Sequence, residues 1–134
     1  MRCEVRQLGQ IEYREAYALQ KALLEERREG RIADTLLLLE HPPTITVGKS
    51  GKLDNILASP AELAGAGVSL IFTDRGGDVT YHGPGQIVGY PILDLRDRNR
   101  DIHQYVHNLE EVLIRTLADY GIRSGRDHNH AGVW

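Results

Sequence analysis

The chain has a single cysteine, so an internal disulfide is excluded, and this scarcity fits a reducing compartment. It also lacks any long apolar run. The longest, over residues 87–95, is interrupted by Gly89 and Pro91, which rules it out as a membrane-spanning helix. The opening Met1-Arg2-Cys3-Glu4 has no apolar signal segment behind its charges, so the sequence predicts no export and a cytoplasmic location. Sixteen basic against nineteen acidic residues leave a net charge of -3, which gives no global drive toward nucleic acid or an anionic membrane. The basic residues still suffice for a local patch facing an acidic partner. Internal repeats, low-complexity segments and interdomain linkers are all missing. At 134 residues and 15.0 kDa, the expectation is one domain over 1–134 with a core of its own.

What is present is a clear alternation of element signals. Cys3, Val5 and Leu8 alternate loosely, predicting a short strand that ends at Gly9. Tyr13, Ala16, Tyr17, Gln20, Leu23 and Leu24 then recur at helical spacing, with Gly30 as a stop. Residues 34–39 are mostly aliphatic, as in a strand covered on both faces, and Pro42-Pro43 ends it because proline cannot donate to a ladder. Residues 44–47 are β-branched and predict a further strand. The polar stretch 48–58 contains Gly48 and Gly51 and is expected to be a mobile loop. Ser59, Pro60 and Glu62 form the start signal of a short helix that Gly65 and Gly67 terminate.

Residues 68–73 predict a strand, and residues 79–82 and 87–95 predict two more, forming a hairpin about Gly83-Pro84-Gly85 with a site at its bend. A charged connection over 97–100 leads to Asp101, which can cap a long helix. That helix carries an expected core stripe of Ile102, Tyr105, Val106, Leu109, Val112, Leu113, Leu117 and Tyr120, with Gly121 as its stop. Residues 122–126 predict a strand and residues 127–130 a turn. Helices between strand runs, together with the hairpin pairs, give an α/β fold: a mixed sheet flanked by helices.

The densest chemistry lies in Arg75-Gly76-Gly77-Asp78-Val79-Thr80-Tyr81-His82-Gly83-Pro84-Gly85-Gln86. Glycines allow a main chain to approach a ligand closely, and here they bracket a cation, a hydroxyl, a phenol and an imidazole. Arg75 can fork onto a carboxylate, phosphate or carbonyl, or can simply pair with Asp74 or Asp78 at the surface. On a strand, Thr80 and His82 point one way and Tyr81 the other. His82 suits proton handling, with a satisfied structural histidine as its plain alternative. Tyr81 suits the wall of a pocket, or a core position. The glycines alone would mark no more than two tight turns.

This stretch, with Gly89-Tyr90-Pro91 after it, residues 35–42 (TLLLLEHP) before it and Gly132-Val133-Trp134 beyond, resembles lipoyl(octanoyl) transferases, the LipB family. The resemblance implies the catalytic-domain fold shared with biotin and lipoate protein ligases. It also implies transfer of an octanoyl group from acyl carrier protein to a lysine on lipoyl domains of 2-oxoacid dehydrogenases or the glycine-cleavage H protein. Arg75, Gly76, Gly77, Asp78, Val79, Thr80, Tyr81 and His82 carry over as substrate-binding positions, which would suit His82 to donation to a thioester carbonyl and Tyr81 to the wall of an acyl tunnel. No cofactor and no metal are implied. The family works through a cysteine nucleophile and a neighbouring lysine, both beyond its Gly-Val-Trp landmark, so no catalytic residue carries over to this chain. Cys3 does not match the cysteine motif, nor do Lys21, Lys49 and Lys52 match the lysine segment.

The chain lies on roughly the first three-fifths of the family pattern and ends on the apolar Val133-Trp134, where termini are usually polar, so a fragment is expected, inactive by itself. Two alternatives stand beside this reading. One is an ATP-dependent lipoate or biotin ligase, although no lysine-bearing nucleotide loop is evident. The other is a non-catalytic module that binds acyl carrier or lipoyl domains. His103 and His107 have metal-ligand spacing on the long helix, but Gln104 stands where an HExxH site needs its glutamate, so metal binding is not expected.

Overall fold

The computed structural model describes residues 2–96 and 100–134, which fall into two compact units, Met1–Leu93 and Asp94–Trp134. In the first unit the order is β1 (Cys3–Gln10), α1 (Tyr13–Arg28), β2 (Asp34–Glu40), β3 (Thr44–Val47), a 3-10 turn (Leu53–Asn55), α2 (Pro60–Gly65), β4 (Ser69–Phe72), β5 (Val79–His82) and β6 (Val88–Ile92). The mixed sheet is realised as two three-stranded sheets, ordered β1-β2-β6 and β4-β3-β5. Each has one parallel and one antiparallel pairing.

The first sheet holds the core. β1 and β2 are parallel, and parallel neighbours need a long crossover, which α1 supplies. Ala16 and Leu23 on the buried face of α1 meet Leu37 and Leu39 of β2 and Ile92 of β6. Burial of each of the larger aliphatics is worth about 1.5–3 kcal/mol. β2 is the central strand, which is why its sequence is aliphatic without alternation. The end of α1 is tied to the start of β2 by Arg27, whose Nε donates to the buried Asp34 Oδ1 at 2.8 Å.

Local signals were reliable at α2. Ser59 accepts from the Glu62 backbone while the Glu62 carboxylate accepts from the Ser59 backbone, a complete capping box with Pro60 at the first helical position. Gly30 and Gly67 take positive φ where the chain leaves a helix, and Gly9 does so at the irregularity near the end of β1.

The expected hairpin is not formed. β5 pairs with β3, β6 pairs with β2, and the two strands that flank Gly83-Pro84-Gly85 therefore lie in different sheets. The physical reason is the break at His41-Pro42-Pro43. It divides one long run into β2 and β3, and its antiparallel partner divides opposite it, into β6 and β5. The registers Leu39↔Val88 and Thr44↔His82 show the partner strand one residue longer across that gap. The Glu40 carboxylate reaches into the gap and accepts from the Gly85 backbone at 2.8 Å. The bend is a crossing between sheets.

In the second unit, α3 (Ile102–Asp119) begins where Asp101 caps it, accepting from the Gln104 backbone at 2.9 Å. Its predicted apolar stripe is not a core stripe: Tyr105 and Leu117 are half-buried and the others are exposed. A single helix with one short return has no second apolar layer of its own. The predicted strand over 122–126 is reduced to a bridge between Arg126 and Val133, closed by reciprocal backbone bonds of 2.8 Å between Gly125 and Trp134. Arg126 ties this return to α3 through Glu110 and Glu111. Residues 127–130 turn as expected, with the Asn129 backbone donating to Asp127 Oδ1. Of the charged connection over 97–100, residues 97–99 lie outside the described residues.

Candidate functional site

The Arg75 to His82 stretch runs from the end of β4 through a glycine turn into β5. The pairings Thr46↔Thr80 and Thr44↔His82 place Thr44, Thr46, Thr80 and His82 on one face of the second sheet. Arg75 lies over that face. Its Nη2 donates to Thr46 Oγ1 (2.9 Å), the Thr46 carbonyl (3.1 Å), the Asp78 carbonyl (3.0 Å) and Thr80 Oγ1 (3.0 Å). Nη1 donates to the Gly76 carbonyl at 2.8 Å and Nε to Thr46 Oγ1 at 3.3 Å. The guanidinium thus makes neither of the surface ion pairs that were the plain alternative for it. Asp74 instead accepts from Tyr17 Oη at 2.7 Å and sits 3.4 Å from Lys21 Nζ, which holds its carboxyl below the usual range.

Residues 48–58, expected to be mobile, are fastened to this turn. The backbone N–H groups of Gly48, Lys49 and Ser50 donate to the carbonyls of Asp78, Arg75 and Gly77, and Ser50 Oγ donates to Gly77 as well. The Asp78 carboxylate closes the far side, accepting from the Lys52 backbone at 3.0 Å and from the Asn55 side chain. The close approach needs glycine at Gly48, where a Cβ would fall inside contact of the Gly77 carbonyl. Gly77 itself takes φ of 85°.

Around His82 a ring cluster forms. Tyr13, at the start of α1, stacks on His82 with centroids 6.3 Å apart, and His41 stands edge-on to it at 5.7 Å. His41 is fully buried, with Nδ1 2.8 Å from the Ile11 carbonyl and Nε2 2.9 Å from Tyr90 Oη. A carbonyl only accepts, so Nδ1 carries the proton and Nε2 accepts from the Tyr90 hydroxyl. Burial pushes the Tyr90 phenol up to about 12, keeping it a donor. His82 Nδ1 lies 2.7 Å from Gln86 Oε1, so it donates there, and among the described residues Nε2 has no hydrogen-bond partner. In its neutral form His82 therefore presents an acceptor.

Tyr81 points to the opposite face, half exposed, with its ring over Gly83, where a Cβ would lie 2.6 Å from the phenol oxygen. Arg75, Thr80 and His82 are brought together, and Tyr81 is not with them. A cleft of about 330 Å³ opens between α1 and β4, lined among others by Tyr13, Tyr17, Ile71, Phe72 and Asp74. It meets the ring cluster at Tyr13 and lies at the lower end of the ~300–1,000 Å³ usual for small-molecule sites. His41, Tyr13, Tyr90 and Thr46 are absent from the sequence-derived site. Their signals were faint: a histidine before a proline at a strand end, and a tyrosine between Gly89 and Pro91.

Burial drives the His41 imidazole below its ordinary value of 6.5, against a smaller opposing effect of the Ile11 carbonyl, while nearby His82 lowers it and Glu12 raises it. The unfolded chain then takes up a proton that the folded one refuses, so the contribution is intact above about pH 6.5 and declines as pH falls below it. Urea midpoints should drop between pH 7.5 and 5.5, and by less in His41→Gln. Equal drops in the two proteins would contradict this.

Mixed sheets flanked by helices, with a glycine-turn arginine and a histidine beside a cleft, define an α/β fold of the kind that gathers polar groups at one end of a sheet. The chain belongs to the lipoyl protein ligase A/B catalytic domain family, whose model matches residues 12–134. It is 55% identical over 132 residues to an octanoyltransferase of Solibacter usitatus (strain Ellin6076), covering 98% of this chain and 60% of that relative. It is 51% identical over 135 residues to the octanoyltransferase of Alkaliphilus metalliredigens (strain QYMF), covering 100% of this chain and 62% of that relative. The chain thus spans about three-fifths of the length of these curated relatives. In fold it is similar to P. falciparum LipL1 in complex with lipoate, with a TM-score of 0.68 at 15% identity over 94% of this chain and 39% of that one. It is also similar to a bi-partite lipoate protein ligase from Thermoplasma acidophilum, with a TM-score of 0.66 at 15% identity over 96% of this chain and 49% of that one.

Proposed function

We propose that this chain is the acyl-binding part of an octanoyltransferase that moves an octanoyl group from acyl carrier protein to a lysine of lipoyl domains. The observation that carries this is 55% identity to an octanoyltransferase over nearly the whole chain. The geometry supports it. Arg75 and the turn over 48–55 hold the glycine segment rigid, so that Gly76 and Gly77 can offer bare main chain. Thr80 and His82 share one polar face, and the cleft beside Tyr13 has room for a medium-length acyl tail, with Ile71 and Phe72 as its apolar side.

Arg75, Gly76, Gly77, Asp78, Val79, Thr80, Tyr81 and His82 are the proposed substrate-binding positions. Within them the roles differ: Arg75 and Asp78 hold the turn, and His82 faces substrate. The family's covalent route attacks the donor thioester with a thiolate, expels the carrier thiol and passes the acyl group to the acceptor amine. Cys3, exposed on the edge strand β1, has no place in that route. The proposed setting is the cytoplasm; among the described residues no helix is long and apolar enough to cross a membrane.

The test is an NMR titration of the labelled chain with octanoyl-carrier protein, followed by mass spectrometry of an added lipoyl domain. Amide signals of residues 75–82 should shift, while no octanoyl-lysine forms from this chain alone. Silent amides would sink the binding role, and acylated lipoyl domain would show that this chain suffices for transfer. Exchange of pyrophosphate into ATP would instead favour a ligase.

A further inference from the structure

The ring cluster contains a group that the proposed chemistry does not use. His41 is fully buried and satisfied at both nitrogens. A histidine used only to fill space could be replaced by an aliphatic residue at less desolvation cost. This one stands between Ile11 at the entry of α1, Tyr90 on β6 and His82 on β5, and so touches both sheets at the gap where they part.

We propose that His41 is a positioning residue for His82. It acts through the ring edge it sets against His82 and through the tilted contact, 5.2 Å between centroids, that it makes with Tyr13. This inference rests on the reading of His82 as a substrate-facing group. His41 and Tyr13 flank the His82 ring at centroid separations of 5.7 and 6.3 Å, so a change at either alters the ring packing that favours its present orientation. Favouring that orientation keeps Nδ1 on Gln86 Oε1, which in turn fixes the proton there and leaves Nε2 bare on the substrate side. His41 can do this because its own orientation is set twice over. The Ile11 carbonyl fixes which nitrogen bears the proton, and the Tyr90 hydroxyl holds the other. The ligand class that such a histidine receives is a hydrogen-bond donor, such as a thiol, an amide N–H or an amine, and not a carbonyl.

The experiment reads the imidazole nitrogens of the 134-residue chain labelled with ¹⁵N at histidine, His82 being assigned by its loss in His82→Asn. Wild-type His82 should show one dominant tautomer at neutral pH, protonated at Nδ1. In His41→Gln, which keeps hydrogen-bonding capacity but has no ring, the minor tautomer should rise several-fold. A folded His41→Gln chain with an unchanged His82 pattern would overturn the proposal. Should that variant not fold, Tyr90→Phe removes only the hydroxyl that holds His41, and the same tautomer shift is expected; an unchanged pattern there is equally fatal. The readout needs no acyl ligand, so a chain that fails to bind octanoyl thioester yet shows the shift would sink the acyl reading and leave the role of His41 standing.

Discussion

Replacing Arg75 by lysine should cost about 2–4 kcal/mol of stability and strip the glycine turn of its order, although the charge is retained. The arginine reaches the Thr46 carbonyl and hydroxyl, the Asp78 carbonyl, the Thr80 hydroxyl and the Gly76 carbonyl from one planar fork. An ammonium is a point donor and cannot span that set. At least two acceptors would lose a partner, each worth about 1–3 kcal/mol where water cannot replace it. Part of the turn is open to solvent, which places the expected value inside this range rather than above it. Hydrogen exchange distinguishes the mechanism from general loosening. Lys49 and Ser50, whose amides bond to the Arg75 and Gly77 carbonyls, should lose protection, while the β1–β2 ladder keeps it. Uniform loss across both sheets, or a urea midpoint unmoved by the substitution, would contradict this role.

Much of this arrangement was legible in the chain itself. Period and punctuation place α1, β2, β3 and the capping box of α2, because each depends on residues close in sequence. The Arg75 to His82 stretch stood out for the same reason: its glycines and polar groups are contiguous. What failed was non-local. Gly83-Pro84-Gly85 between two strand-like runs reads as a hairpin, and nothing near it reveals that Pro42-Pro43, some forty residues earlier, has already divided the partner strand. The acceptors of Arg75 were hidden for a related reason. Its nearest charges, Asp74 and Asp78, suggested an ion pair, whereas its actual acceptors include Thr46 on a strand much earlier in the chain. The apolar period of α3 was a true sign of a helix, but periodicity does not say what a stripe will meet.

The ring cluster shows the same limit from the other side. Tyr13, His41, His82 and Tyr90 come from α1, the end of β2, β5 and β6, and they meet only because the two sheets diverge at one point. None of the four carries a local signature of that meeting. A buried histidine with two partners is visible only after folding, and its neutral state follows from desolvation, which no sequence window reports.

Alanine at Gly48 should be about as damaging as the loss of Arg75, near 2–3 kcal/mol, whereas alanine at Gly76 in the same site should be close to neutral. Neither glycine has the left-handed backbone that demands glycine, so the difference is one of space. At Gly48 an added Cβ would press into the Gly77 carbonyl and come within 3.0 Å of Arg75 Nη1. Both neighbours are held, the first by the Ser50 hydroxyl and the second by its fan of acceptors, so neither can retreat without breaking bonds. Forced overpacking of this kind costs about 1–3 kcal/mol, and here the loss of the Gly48 amide bond to the Asp78 carbonyl adds to it. At Gly76 an added Cβ meets nothing within 4 Å, and alanine also narrows the unfolded ensemble, worth up to about 0.4–1 kcal/mol in favour of folding. Urea unfolding of the two variants reads the contrast directly. If Gly48→Ala proves as stable as Gly76→Ala, the 48–55 segment does not brace the glycine turn, and Gly76 and Gly77 are not held ready for a ligand.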